Sequence, residues 1–259
     1  MYRSFLHLLL ILIVLDCYAL KKIGPLRMEL LLEQEGIEPG SDFWVGWRII
    51  REKGWHTYWE HPGDVGVPPL LDWSLPKDFS AGEILYALPE KVKMGTIRAN
   101  GNYGETFFLI KIKAPDSLKI GDIVEINAKA SWLTCSQQCL PGFTDLNLST
   151  EVVELAEINS DLNNRFEKIR ANIPRFLESS WDISARQDDK YIHLSFQHPS
   201  ISGDETERPV FYCSNRFVRS DGIQFLTKKK GVFSLRMERS EWANKDENFL
   251  SGLIYRKSG

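Results

Sequence analysis

Cysteine is scarce in this chain, with 4 residues in 259. That density is far below a disulfide-stapled scaffold, so a hydrophobic core has to hold the fold. Methionine is as scarce, 4 with the initiator, which leaves few soft partners for a copper centre. Positive charge is not in excess: 32 Lys and Arg face 35 Asp and Glu, for a net charge of −3. No bulk field attracts phosphate backbones, and nucleic acid is not an expected partner. The G-x-S-x-G elbow, the G-x-x-x-x-G-K phosphate loop and the dinucleotide G-x-G-x-x-G are all missing. What is present is an ordinary globular composition, 43% hydrophobic, 12% aromatic and 26% charged, with 18 Gly and 12 Pro. Many aromatics between frequent turn residues favour short strands, so an all-β chain of one or two domains is expected.

Residues 1–19 read as a signal peptide. Arg3 gives a basic start, Leu8 to Leu15 is apolar, and Cys17-Tyr18-Ala19 offers small residues at a cleavage site. The competing readings are an uncleaved anchor and a lipoprotein acylated at Cys17, the latter opposed by the charge of Asp16. The mature chain is expected to be exported, periplasmic or equivalent, without a membrane span. Loss of Cys17 leaves Cys135, Cys139 and Cys213, an odd set in which at least one thiol lacks an internal partner.

Strand-like alternation runs through Arg27–Gln34 and Phe43–Ile49, a hairpin-like pair, and again through Thr106–Lys113, Asp122–Leu133 and Phe143–Val153. Gly54 to Asp72 reads as a strand end followed by a long ordered loop carrying Pro62-Gly63 and Pro68-Pro69. Leu162, Phe166, Ile169 and Ile173 lie on one helical face, with Ser160 as the expected N-cap and Pro174 beyond the end. Short strands return at Tyr191–Phe196, Pro209–Cys213, Ile223–Thr227, Val232–Met237 and Leu250–Arg256. A boundary near residue 155 follows, with a first β domain over 20–155 and, over 156–259, a helical linker plus a second, smaller β domain. Lys228-Lys229-Lys230-Gly231 reads as a solvated hairpin turn.

The sharpest chemical feature is Cys135-Ser136-Gln137-Gln138-Cys139, entered from a strand and left through Leu140-Pro141. A hairpin or a single helical turn would bring the sulfurs within disulfide reach. Closing about five residues removes only roughly 2 kcal/mol of unfolded-state entropy, against about 4.7 for a hundred-residue loop, so the bridge is a poor staple. Three readings stay open on spacing alone: a redox couple, a passive local disulfide, and a metal site using the two thiolates. His56 and His61 flank Glu60 near Asp64, which suggests a metal or acid–base cluster. Imidazoles covering an aromatic-rich loop, satisfied by backbone hydrogen bonds, are the plainer expectation. Trp55, Tyr58 and Trp59 read as core, and Cys213 as a small buried hydrophobe.

Three ordered segments, GWHTYWEHPGDVGVPPLLDW, then Gly101-Asn102-Tyr103-Gly104, then WLTCSQQCLP, resemble the periplasmic N-terminal domain of the thiol:disulfide interchange protein DsbD, closest to the ScsB copper-tolerance subgroup. The resemblance spans roughly residues 27 to 153. It implies an immunoglobulin-like β-sandwich whose Cys135 and Cys139 form a redox pair, with Cys139 attacking and Cys135 resolving. It also implies a cap loop at Asn102 and Tyr103 that shields the disulfide, with Asn102 standing where a second aromatic is expected. The implied activity is that of a protein-disulfide reductase without cofactor or metal. Its implied partners are a membrane-embedded DsbD/ScsB-like electron donor and exported thiol-disulfide proteins. With no membrane segment and no thioredoxin-like domain before Gly259, the relay is expected to need separate partners. Two alternatives of other classes stand beside it: a non-catalytic protein-binding β module with a structural disulfide, and a copper-binding protein using the same thiols.

Overall fold

A computed structural model describes residues 20–177, 179–197, 208–244 and 248–255. The expectations for the signal segment, Cys17 and Ala19 included, and for Arg256 lie outside these residues. In chain order the elements are β1 (Lys21–Ile23), β2 (Leu26–Leu32), β3 (Gln34–Glu35), β4 (Asp42–Arg51), β5 (His56–Tyr58), β6 (Leu70–Ser74), β7 (Ser80–Leu85), β8 (Glu90–Met94), β9 (Ile97–Asn102) and β10 (Glu105–Lys113). They continue as β11 (Ile123–Cys135), β12 (Cys139–Glu151), β13 (Glu157–Ile158), α1 (Ser160–Arg170), β14 (Asp182–Gln187), β15 (Tyr191–Gln197), β16 (Val210–Cys213), β17 (Phe225–Lys229), β18 (Val232–Glu238) and β19 (Gly252–Tyr255).

The chain is all-β apart from this one short helix among the described residues, and the first unit is an immunoglobulin-like sandwich. One sheet has the order β1-β2-β4-β10-β7 and the other β12-β11-β5-β9-β8, with β6 also paired to β11. The strict alternation of β11 explains the layer: Val124, Ile126, Ala128, Ala130 and Trp132 are buried while the residues between them face outward. The inward set meets Met28, Leu30, Trp47, Ile49, Phe108 and Ile110 from the other sheet in one continuous core. Trp47 and Phe108 meet edge to face at 5.7 Å.

The helix is capped by Asn159 rather than by Ser160: the Asn159 side chain accepts from the amides of Asp161 and Leu162. Phe166 is its buried residue. Arg170 pairs with Glu33 and lies over the Trp44 ring at 5.5 Å, so the helix covers the outer face of the first sandwich. The second unit has its own core, built from Ile192, Leu194, Phe196, Phe211, Phe233, Leu235 and Met237 on the sheet β14-β15-β18-β17 and the pair β16-β19. Lys230 and Gly231 both take positive φ, at 51° and 82°, in the turn joining β17 to β18.

The two units share strand β16. Phe211 and Cys213 face the second core, whereas Val210 and Tyr212 pack on the first, where Tyr212 meets Trp59 edge to face at 6.0 Å. A polar latch closes the seam. The Asp64 carboxylate accepts from the Ser220 amide at 2.7 Å, the Ser220 hydroxyl at 2.9 Å and the Ser240 hydroxyl at 2.6 Å. Gly63, at φ 99°, permits this approach, since a Cβ there would lie 2.2 Å from Ser220 Cβ. Replacement of Asp64 by Ala is expected to cost about 2 kcal/mol, a loss of charge-assisted hydrogen bonds discounted for partial exposure. Urea unfolding should show it, with faster chymotrypsin cleavage between the helix and β14. Unchanged unfolding and cleavage would refute the latch.

Candidate functional site

The β11–β12 hairpin ends in a three-residue loop, Ser136-Gln137-Gln138, which places Cys135 and Cys139 directly opposite each other as a cross-strand pair. Their Cα atoms lie 4.1 Å apart and the sulfurs form a disulfide. Cys135 belongs to the outward-facing set of β11, so the bridge lies outside the main core, on the outer surface of the second sheet. It is covered there by a small cluster of its own: Tyr58, Val92 and Ala99, with Val65, Met94, Tyr103 and Leu133 around the edge. Cys135 is 0% exposed, whereas Cys139 is half-buried and followed by an exposed Leu140.

Three segments supply the cover. Strand β5 lies beside the tip of β11, pairing Thr57 with Thr134 and His56 with Cys135. The Thr134 hydroxyl donates to the His56 carbonyl at 2.9 Å and fixes that register. One turn of the pleat further, Tyr58 reaches the bridge and its hydroxyl donates to Cys135 Sγ at 3.2 Å. Burial raises the Tyr58 pKa, which keeps this donor protonated. The loop after β5 supplies Val65; Gly66, at φ 104°, lets it lie flat on Tyr58, because a Cβ there would meet the ring at 2.3 Å. The β8–β9 hairpin supplies Met94, whose Sδ is 3.0 Å from Cys139 Sγ.

The expected cap residues are placed differently from each other. Tyr103 packs against the cluster, its ring edge-on to His56 at 5.5 Å; its hydroxyl accepts from the Lys93 amide, and its amide donates to Glu90 Oε1. Asn102 ends strand β9, is 3% exposed, and donates to the Leu88 carbonyl at 2.9 Å. It fastens the base of the hairpin.

The histidines separate. His61 is edge-on to Trp59 at 5.5 Å, and its carbonyl accepts from the Asn100 side chain. His56 is fully buried in contact with Tyr58 and Tyr103, and among the described residues neither ring nitrogen has a hydrogen-bond partner. The expectation of imidazoles satisfied by backbone hydrogen bonds is therefore wrong for His56, because its strand position turns the ring into the apolar cluster. With Asp64 engaged at the seam, no His/Cys/Asp/Glu group of three among the described residues is placed to hold a metal ion. Cys213 is a buried free thiol, raised in pKa chiefly by burial.

A buried cation lies behind the cluster. Arg51 donates to the Thr57 hydroxyl at 2.9 and 2.6 Å and to the Thr106 hydroxyl at 2.9 Å, without a carboxylate partner in these bonds. Burial pulls its pKa down to about 9. Burial first, and then this guanidinium, pull His56 down to about 4.

Residues 28–151 match the family described as thiol:disulfide interchange protein DsbD, N-terminal. That segment belongs to the DsbD N-terminal family. The family match and the Cys135–Cys139 bridge together support thiol–disulfide exchange at the level of the family. Among solved structures, the N-terminal periplasmic domain of ScsB from Proteus mirabilis matches with a TM-score of 0.64 at 19% identity, covering 90% of this chain and 89% of that one. The likeness therefore extends through the second β unit as a shared fold. Spo0M, a sporulation control protein from Bacillus subtilis, aligns at 14% identity over 91% of each chain with a TM-score of 0.25, too low to bear on the fold. No curated protein matches.

The sequence pattern alone did not expose Tyr58, Met94, Val65 and His56 as neighbours of the bridge. The one signal available was the alternation of His56 and Tyr58, which puts both on one face of β5. An unfolded histidine titrates near 6.5, so the unfolded chain binds more protons than the native one between about pH 4 and 6.5. Stability should thus fall as pH drops through this window, by at most roughly 3 kcal/mol. Urea titrations of the wild type and His56→Phe should diverge below pH 6; parallel curves would show that His56 does not carry the slope.

Proposed function

We propose that the chain is an exported, periplasmic protein-disulfide reductase that relays reducing equivalents from a membrane-embedded donor to exported thiol-disulfide proteins through Cys135 and Cys139. The observation that carries this is the unequal exposure of the two sulfurs, with Cys139 half-buried and Cys135 fully enclosed. A donor thiolate attacks the reachable Cys139 Sγ, a donor–Cys139 disulfide forms, the Cys135–Cys139 bond breaks, and Cys135 leaves as thiolate. The donor's second thiolate then attacks its own sulfur in the mixed disulfide, releasing Cys139 and closing the donor disulfide. Two electrons have moved.

Delivery runs in reverse. The Cys139 thiolate attacks an acceptor disulfide, and Cys135 then attacks Cys139 Sγ to release the reduced acceptor. In this reading Tyr103 and Met94 act as the cap that limits access by unselected thiols, and Asn102 holds the hairpin that carries them. The chemistry uses no cofactor or metal. No helix among the described residues is long and apolar enough to cross a membrane.

Cys135→Ser should accumulate a mixed disulfide at Cys139 with a dithiol partner, Cys139→Ser should accumulate none, and both changes together should abolish exchange. Trapping on a non-reducing gel, with peptide mapping, checks this. Exchange retained in the double variant would end the reading and favour a structural bridge in a binding module. The proximity of Met94 Sδ to Cys139 Sγ supports a second reading, Cu(I) capture by the reduced pair and the thioether. In that case reduced protein should bind Cu(I) against a chelator, and Met94→Leu should weaken it; equal affinity in the variant would exclude the thioether.

A further inference from the structure

One polar group in the disulfide cluster has no part in the exchange just described. His56 is 0% exposed and, among the described residues, has no hydrogen-bond partner on either ring nitrogen. It lies directly opposite Cys135 in antiparallel register, where paired Cβ atoms are about 4.5–5.5 Å apart and share a face of the sheet. A Phe of similar shape would fill the same space without two orphaned nitrogens. The groups around it are few: Arg51 from β4, Tyr58 on its own strand, Tyr103 after β9, and Cys135 across on β11; Glu90 on β8 bonds the Tyr103 amide. Among the described residues no carboxylate bonds either ring nitrogen.

We infer that His56 is held in reserve for the opened bridge, donating its ring N–H to the Cys135 thiolate that departs when Cys139 is attacked. The inference rests on the exchange reading above. Atoms and electrons balance without a proton leaving the ring: the incoming dithiol's sulfur bonds to Cys139 Sγ, the Cys135–Cys139 pair of electrons stays on Cys135 Sγ, and the imidazole N–H turns to it beside the Tyr58 hydroxyl. A sulfur enclosed in apolar side chains is a poor place for negative charge unless donors meet it. Tyr58 supplies one donor at 3.2 Å in the closed state, and His56 supplies the second. In the closed state the same nitrogens lack a partner because a disulfide sulfur is a weak acceptor. A low proton affinity suits this role, since the neutral ring keeps one N–H and adds no competing charge.

The test is stopped-flow opening of the bridge by dithiothreitol across pH in the mature protein, wild type against His56→Phe and His56→Asn. It is joined to the titration of Cys135, followed by thiolate absorbance in a Cys139→Ala background with Cys213→Ser. Loss of the ring N–H should slow opening roughly tenfold and raise the Cys135 pKa by about one unit. His56→Asn, which restores an N–H, should recover part of both. A purely space-filling ring would leave both unchanged in His56→Phe, and that outcome overturns the inference while leaving the exchange reading intact. A wild-type bridge that dithiothreitol cannot open in the folded protein would sink the exchange reading instead. Should His56→Phe fail to fold, His56→Leu reads the same two quantities.

Discussion

The two-residue period of β11 is the constraint on which the molecule is arranged. Its even-numbered side chains from Val124 to Trp132 face inward and supply one wall of the sandwich core. Its odd-numbered side chains face outward, and the last of them is Cys135. One strand therefore serves two compartments. The large core fixes the strand, and the strand in turn fixes where the bridge lies, so a redox change at the tip need not disturb the packing of Trp47, Phe108 and Trp132. The small cluster around the bridge is separate from that core.

The same principle joins the two units. Along β16, Phe211 and Cys213 turn to the second core while Val210 and Tyr212 turn to the first. The seam then borrows the loop that also covers the bridge: within four residues, Gly63 and Asp64 meet Ser220, and Val65 and Gly66 lie against the disulfide cluster and Tyr58. Because each of these contacts constrains the same short backbone, the second unit holds the cover of the bridge in place. Lys91 strengthens the connection, donating to the Ser220 carbonyl at 2.9 Å from the hairpin that carries Met94.

The long alternating strands were legible in the sequence. Arg27–Gln34, Phe43–Ile49, Thr106–Lys113 and Asp122–Leu133 fall within or largely overlap β2, β4, β10 and β11, because each buries one face and leaves a period-two trace. The region from Leu70 to Asn102 was not, since β6 to β9 are short, rich in charged or half-exposed residues, and interrupted by Pro and Gly. Ser160 looked like the cap because both residues at the helix start are capping types, and the backbone places Asn159 one residue earlier. The cysteine pair was visible from its spacing. Its surroundings depend on register between strands far apart in sequence: Tyr58 and Cys135 are 77 positions apart, and Met94 and Cys139 are 45.

What makes the site more than a bridged hairpin is the sign of its buried charge. Among the described residues the enclosed Arg51 guanidinium is bonded to hydroxyls and carbonyls and to no carboxylate, Glu90 acting on it only through space. Such a charge is costly, and hydrogen bonds to neutral acceptors offset only part of the cost. Its field disfavours protonation of His56, and by the same sign it favours negative charge anywhere nearby. A negative group that exists only while the bridge is open would recover part of that cost at the moment it forms. In the exchange proposed above the Cys135 thiolate is such a group and the half-buried Cys139 sulfur is its opposite partner, so in that reading enclosure, cation and unequal exposure all bias the bond to break with its electrons on the buried side.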